Sequence, residues 1–224
     1  MADVVVFVED KNDVIFLRDF ILKNYCNSEI ANAKYITEKE YKITVNNKSI
    51  LVADTNKGNT EEHQTGGWAK LKGQINSNFF VKQKQENENV RFVILFDADE
   101  DKTDNIAKKN TDIDSWLNGK DFEIDRFYLP FNNEKSHNLE QLLELSFKQE
   151  MNGCWEEFTN CLVNEKNPNA IPPTSKKGKI VTYKDIYSTL ANKKNEYLSD
   201  LWDLDFDTNN NLKPLKEFLD QYLK

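Results

Sequence analysis

The chain has 224 residues, and its 30 Lys and Arg against 38 Asp and Glu leave a formal charge of −8. Aromatics make up 12%, too many for a disordered chain, and at ~100–200 residues per domain the length suits one domain with or without an extension. Met1-Ala2-Asp3 is not the basic start of a signal peptide, no apolar run approaches the ~20 residues of a membrane span, and three cysteines without a C-x-x-C pair exclude a disulfide scaffold or a Cys-type zinc site.

A reduced, cytoplasmic setting away from membranes is therefore expected. In chain order, VVVFV (4–8) is β-branched and uninterrupted, as a strand buried on both faces requires. A charged stretch, Glu9 to Asp13, separates it from an apolar helix over 14–23, with Asn12 or Asp13 as its N-cap. Residues 27–49 are polar and suggest two short strands near 34–36 and 41–45, followed by a better strand at 49–54. A loop over 55–67 ends in Gly66-Gly67, the spacing of Trp68, Leu71 and Ile75 predicts a helix over 68–80, and 82–89 reads as a solvated connector.

RFVILF (91–96) is the clearest strand and runs into Asp97-Ala98-Asp99-Glu100-Asp101. A short helix at 112–119, a strand at 124–130 stopped by Pro130, a loop at 131–137 and an amphipathic helix at 138–149 follow. Helices are expected at 154–164, 179–193 and 212–223, with a Pro- and Lys-containing loop over 171–179. The alternation of strands and helices predicts an α/β fold with a mainly parallel central sheet flanked by helices. An α/β domain over 1–150 and a helical C-terminal extension over 151–224, packed on it, are expected.

Ligands of open α/β sheets sit at the carboxyl ends of the strands. Two buried strands here end in acid: one at Glu9, the other at Asp97, with Asp99 two residues on. As parallel neighbours, these strands would bring the three carboxylates together, and their repulsion calls for a cation. Oxygen ligands suit Mg²⁺ or Mn²⁺ rather than Zn²⁺. The plainer alternative is that such acids cap the helices that follow.

These residues resemble a Toprim domain. VVVFVEDKNDVIFLRDFI (4–21) resembles the family's strand ending in Glu before a polar turn and an apolar helix, and RFVILFDADED (91–101) its strand ending in Asp-x-Asp. Gly66-Gly67-Trp68-Ala69-Lys70 resembles the glycine turn between them. Residues 128–145 and the tail are similar to stand-alone Toprim-like bacterial proteins and to nucleases of the overcoming-lysogenization-defect type. The resemblance implies a general acid/base role for Glu9 and metal ligation by Asp97 and Asp99. It also places Asp101 and Glu140 at further acidic positions, as additional metal ligands. Asp10 stands where many members have Gly, and His137 and Asn138 where Gly often precedes the late acid.

The implied activity is metal-dependent phosphodiester hydrolysis on DNA or structured RNA. Phage defence is its expected setting, with a separate ATPase as partner because the chain has no ATPase motif of its own. A homodimer stays open. A topoisomerase would need a gate domain for which no length remains, and a primase would need a zinc module. Lys11, beside Glu9, is a basic candidate for the substrate or for pairing with an acid. Lys176, Lys177 and Lys179 are expected in one loop, as phosphate contacts or as a solvated run. His63 and His137 read as surface residues, and Trp68, Trp116, Trp155 and Trp202 as packing residues. A non-catalytic Toprim-like binding or regulatory subunit and a phosphohydrolase acting on a small nucleotide are the competing readings.

Overall fold

The structure is a computed structural model that describes residues 1–27, 29–37, 39–55, 67–99, 105–164, 176–187 and 200–224. Six strands form one sheet: β1 (Val4–Val8), β2 (Ala33–Thr37), β3 (Glu40–Val45), β4 (Lys48–Asp54), β5 (Arg91–Asp97) and β6 (Ile124–Leu129), in the order β2-β3-β4-β1-β5-β6. The β4-β1-β5-β6 portion is parallel, and β3 pairs antiparallel with both β4 and β2. The fold is thus α/β with a mainly parallel sheet, as the alternation predicts. Asn46 and Asn47 both adopt positive φ (49° and 66°) and close the β3–β4 hairpin, the geometry of a two-residue turn matched to strand twist.

Alternate side chains of the central strands feed two cores. Val4, Val6, Val8, Val93 and Leu95 face α1 (Lys11–Tyr25) and the C-terminal helices. Val5, Phe7, Phe92, Ile94 and Phe96 face α2 (Trp68–Asn76), α3 (Phe79–Glu86) and α4 (Ile106–Leu117). Burial on both faces explains why β1 and β5 are continuous apolar runs. The remaining helices are α5 (Leu139–Glu144), α6 (Asn152–Asn164), α7 (Lys176–Ile186) and α8 (Lys213–Leu223). No helix among the described residues is long and apolar enough to cross a membrane. Cys26, Cys154 and Cys161 are free thiols.

Several boundaries differ from the sequence expectation. The cap of α1 is Asp10, whose side chain accepts from the backbone N–H groups of Asn12 and Asp13, while Asp13 returns a bond to the Asp10 N–H. This capping box uses an Asp where Glu or Gln is usual. The helix over 68–80 is two helices, because the Ser77 hydroxyl bonds the Gln74 carbonyl and accepts from the Phe79 N–H. The connector over 82–89 is largely α3. Asn105 caps α4 and starts it earlier than 112. In the other direction, α5 stops at Glu144, because Phe147 bridges to Trp202 and Ser146 and Lys148 exchange backbone bonds with 201–203. Helix α7 starts at Lys176, so the expected loop over 171–179 is helical from there on. The rest of that loop, and the tail of the helix expected over 179–193, lie outside the described residues.

Candidate active site

Two neighbouring parallel strands, β1 and β5, send their chains to opposite faces of the sheet: β1 continues into α1 on one side and β5 towards α4 on the other. Such a divergence opens a crevice at the carboxyl ends of the strands. Val8 pairs with Leu95, so Glu9 and Asp97 leave the sheet side by side. The Asp97 main chain lies near the Glu9 carboxyl and favours its charged form. Asp97 Oδ1 accepts from the Leu139 N–H at 2.9 Å, which ties the start of α5 to the end of β5 and brings Glu140 to the same place.

Glu9, Asp97 and Glu140 line one cavity of about 500 Å³, together with Asp10 and Asp13. Lys11, Lys177 and Lys184 line it as well. The acids shape one another's ionisation. Burial first, and then the charge of Glu9, pushes the Asp97 carboxyl up to about 8. Burial also raises Glu9, helped by Asp99 and opposed by the Lys109 ammonium. Fully buried Asp13 lies well above the ordinary carboxylate range, through burial and then through Asp10 and Asp97. Three carboxyls raised together, first by burial and then by one another, mark a place where negative charge is costly to hold.

Gly67 also belongs to this neighbourhood. It has φ 118° and opens α2, and a Cβ there would stand 3.8 Å from Glu9 Oε1. Thr55 holds it, accepting from the Gly67 N–H at 2.9 Å. Glycine therefore serves the backbone conformation; a Cβ would meet Glu9 only at ordinary van der Waals distance.

The other expected residues fall differently. Asp99 does not face the cavity. It has φ 54°, and its carboxylate pairs with Lys109 Nζ at 2.6 Å. Asp101 and His63 lie outside the described residues. Lys176 is exposed, but only Lys177 of the expected basic group reaches the cavity. Lys179 is no surface contact for nucleic acid: it is buried, bonded to Glu144 Oε1 at 2.8 Å and Asn152 Oδ1 at 2.6 Å, and lies over the Phe147 ring. His137 is half-buried, and its carbonyl accepts from the Asp99 N–H. Trp68 packs on Phe96 and Trp116, and Trp202 on Phe147 and Tyr183.

Sequence reasoning missed Lys109, Asp13 and Lys184. Lys109 is buried and bonds the Asp97 carbonyl at 2.7 Å as well as Asp99, beneath the Trp68 ring. Its signal was its position on one helical face with Ile106 and Ile113. The signal for Asp13 was its place four residues after Glu9, on the first turn of a buried helix.

The donor set is all carboxylate, which fits a hard divalent cation, and the raised carboxyls are what such an ion would relieve. Among the described residues, no three acidic, His or Cys side chains already stand in metal-holding geometry. Asp97, Glu9 and Glu140 are the residues that could close on an ion. No family model matches the chain, and no curated protein does.

Proposed function

We propose that this protein is a metal-dependent phosphodiester hydrolase of the Toprim type that acts on nucleic acid. The observation that carries the reading is the composition of one cavity at the β1/β5 crevice: Glu9, Asp97 and Glu140 meet Lys11, Lys177 and Lys184 there. Carboxylates and lysines facing each other across a crevice suit a phosphate brought to a divalent ion. Asp97 and Glu140, with Glu9 beside them, would hold Mg²⁺ or Mn²⁺, which supplies charge stabilisation on the phosphoryl oxygens.

The chain's own groups do the rest. Lys177 and Lys184 attract and orient the phosphate from α7, and Lys11 does so from the start of α1. Glu9, raised by burial, is the proton-exchanging group: it takes a proton from the attacking water or gives one to the departing oxygen. The water oxygen bonds to phosphorus, the P–O ester bond breaks, and the leaving oxygen ends protonated. Leu139 fixes Asp97 through its N–H, so the carboxylate does not have to be ordered when substrate arrives.

The test is cleavage of plasmid, single-stranded DNA and tRNA with Mg²⁺ or Mn²⁺. Glu9→Ala and Asp97→Ala are each expected to lower the rate by about 10²-fold or more. Activity that survives both substitutions would reject the site.

The Asp99–Lys109 pair favours a second reading, because it occupies one acid with a protein cation. In that reading the chain is a non-catalytic Toprim-like subunit that binds a partner protein, such as a separate ATPase. It predicts no cleavage with any metal and a stable complex on pull-down.

A further inference from the structure

Helix α7 forms one wall of the cavity. Lys177, Ile180, Val181 and Lys184 line it, at the i, i+3, i+4, i+7 spacing of a single helical stripe. The stripe has a cation at each end and aliphatic side chains between. The wall is anchored from behind. Lys179 bonds Glu144 and Asn152, and Tyr183 donates to the Leu201 carbonyl at 2.7 Å and accepts from the Gln149 N–H at 3.1 Å.

The cavity also has apolar lining: Ile15, Leu139, Leu143, Ile180, Val181 and Trp202. Trp202 is fully buried, and its indole N–H has no acceptor among the described residues. A buried donor without a partner is uncommon in a finished core and calls for an explanation. At about 500 Å³, the space matches small-ligand sites of ~300–1,000 Å³. Its lining combines carboxylates, three lysines and apolar side chains. A surface that tracks a duplex has a long cationic stripe instead, and a chain of net charge −8 is poorly suited to provide one.

We propose that this cavity takes one unpaired nucleoside phosphate unit, its phosphate drawn to Lys177 and Lys184 and its base laid on the apolar side chains. The unit is either a free nucleotide or the last residue of a single strand. The hydrolase therefore works on strand ends and not within an intact duplex, and a free nucleotide in this cavity is a bound ligand without a phosphodiester to cleave. This rests on the proposed hydrolase reading for its chemistry, but the binding claim stands apart from cleavage.

The experiment uses the full chain with thymidine 5′-monophosphate, inorganic phosphate and a single-stranded dT hexamer, followed by calorimetry, and then cleavage assays on the hexamer and on closed circular duplex DNA with Mn²⁺. Thymidine monophosphate is expected to bind at least about tenfold more tightly than phosphate, because the base adds apolar burial. Val181 is exposed, so Val181→Trp can fill the cavity without disturbing the core; it is expected to cost about tenfold in nucleotide affinity at an unchanged melting temperature. Lys184→Glu is expected to weaken the nucleotide and phosphate alike. Hexamer binding as tight as that of the monophosphate identifies a strand end as the occupant; monophosphate binding alone identifies a free nucleotide.

Equal affinity for phosphate and nucleotide, no effect of Val181→Trp, or closed duplex cut as fast as the hexamer overturns the proposal. Nucleotide binding without cleavage of any substrate removes the hydrolase and supports the pocket. Cleavage without nucleotide binding removes the pocket and keeps the hydrolase.

Discussion

Asp97 concentrates the physics of the site. Its carboxyl is pushed up to about 8 in the folded chain, against an ordinary 3.8, so the folded state holds the proton more tightly than the unfolded state does. Between those values, stability falls as pH rises, and the whole penalty is present above about 8. Glu9 and Asp13 are raised as well and act with the same sign. Without divalent ions, the melting temperature is expected to decline from about pH 5 to about pH 9, and Asp97→Asn should flatten that slope. A wild-type profile that is level or rising over the range would contradict the burial of uncompensated acid. Mg²⁺ should raise the melting temperature most at the alkaline end, where the carboxylates are charged. Lys109 is the complementary case. Lys109→Met removes bonds to the Asp97 carbonyl and Asp99; with Asp99 half exposed to solvent, a loss of about 1–2 kcal/mol is expected in urea unfolding. Glu9 and Asp97 were legible in the sequence because each closes an unbroken apolar strand, and parallel pairing then made them neighbours. Asp99 turns to Lys109, and neither its positive φ nor that buried partner leaves a local trace in the sequence.

Elements were legible where periodicity alone decides them and obscure where a distant segment does. The central strands carry their burial in their composition. Helix α5 carries a longer helical pattern than it uses, since pairing of 146–148 with 201–203 draws the chain away. Helix α7 shows the same limit in its lysines: Lys176, Lys177 and Lys179, three lysines within four residues, divide into exposed, cavity-lining and buried roles according to helical phase. This division can be measured. Lys179→Met should destabilise the protein by about 1–3 kcal/mol, because two bonds to charged and polar partners are lost at the joint between α7, α5 and α6. It should leave the salt dependence of nucleic-acid binding unchanged. Lys177→Ala should do the reverse: stability within about 0.5 kcal/mol of wild type, and a salt-dependence slope lower by about one unit. Denaturant titration and binding at several salt concentrations separate the two, and a Lys179 variant with wild-type stability and a reduced slope would reverse the assignment.

At the scale of the molecule, the C-terminal third belongs to the same core as the sheet. Leu215, Leu219, Tyr222 and Leu223 of α8 are buried in the cluster that contains Val4, Val6 and Val8. Phe218 packs on Phe127 of β6, and Tyr25 of α1 bonds Asp220 at 2.8 Å. The last carbonyls of α8, which a helix cannot satisfy internally, accept from Lys48 and Asn46 at the β3–β4 turn. Residues 201–204 and Tyr183 fill the space beneath α5. Each fully buried large apolar side chain contributes about 1.5–3 kcal/mol, so the four from α8 alone are comparable to a whole domain's margin of about 5–15 kcal/mol. A fragment of residues 1–150 would keep α1 and α5 on this face of the sheet but uncover the apolar surface that α8, Tyr183 and residues 201–204 bury. It is expected to lack cooperative thermal unfolding and dispersed amide resonances, and removal of residues 213–224 alone should lower the melting temperature severely. A cooperatively folding 1–150 fragment would instead make the C-terminal helices a true appendage. The consequence reaches the site, since Lys177, Lys184 and Trp202 lie beyond residue 150 and a third of the residues that line the cavity come from the segment whose loss is expected to unfold the sheet.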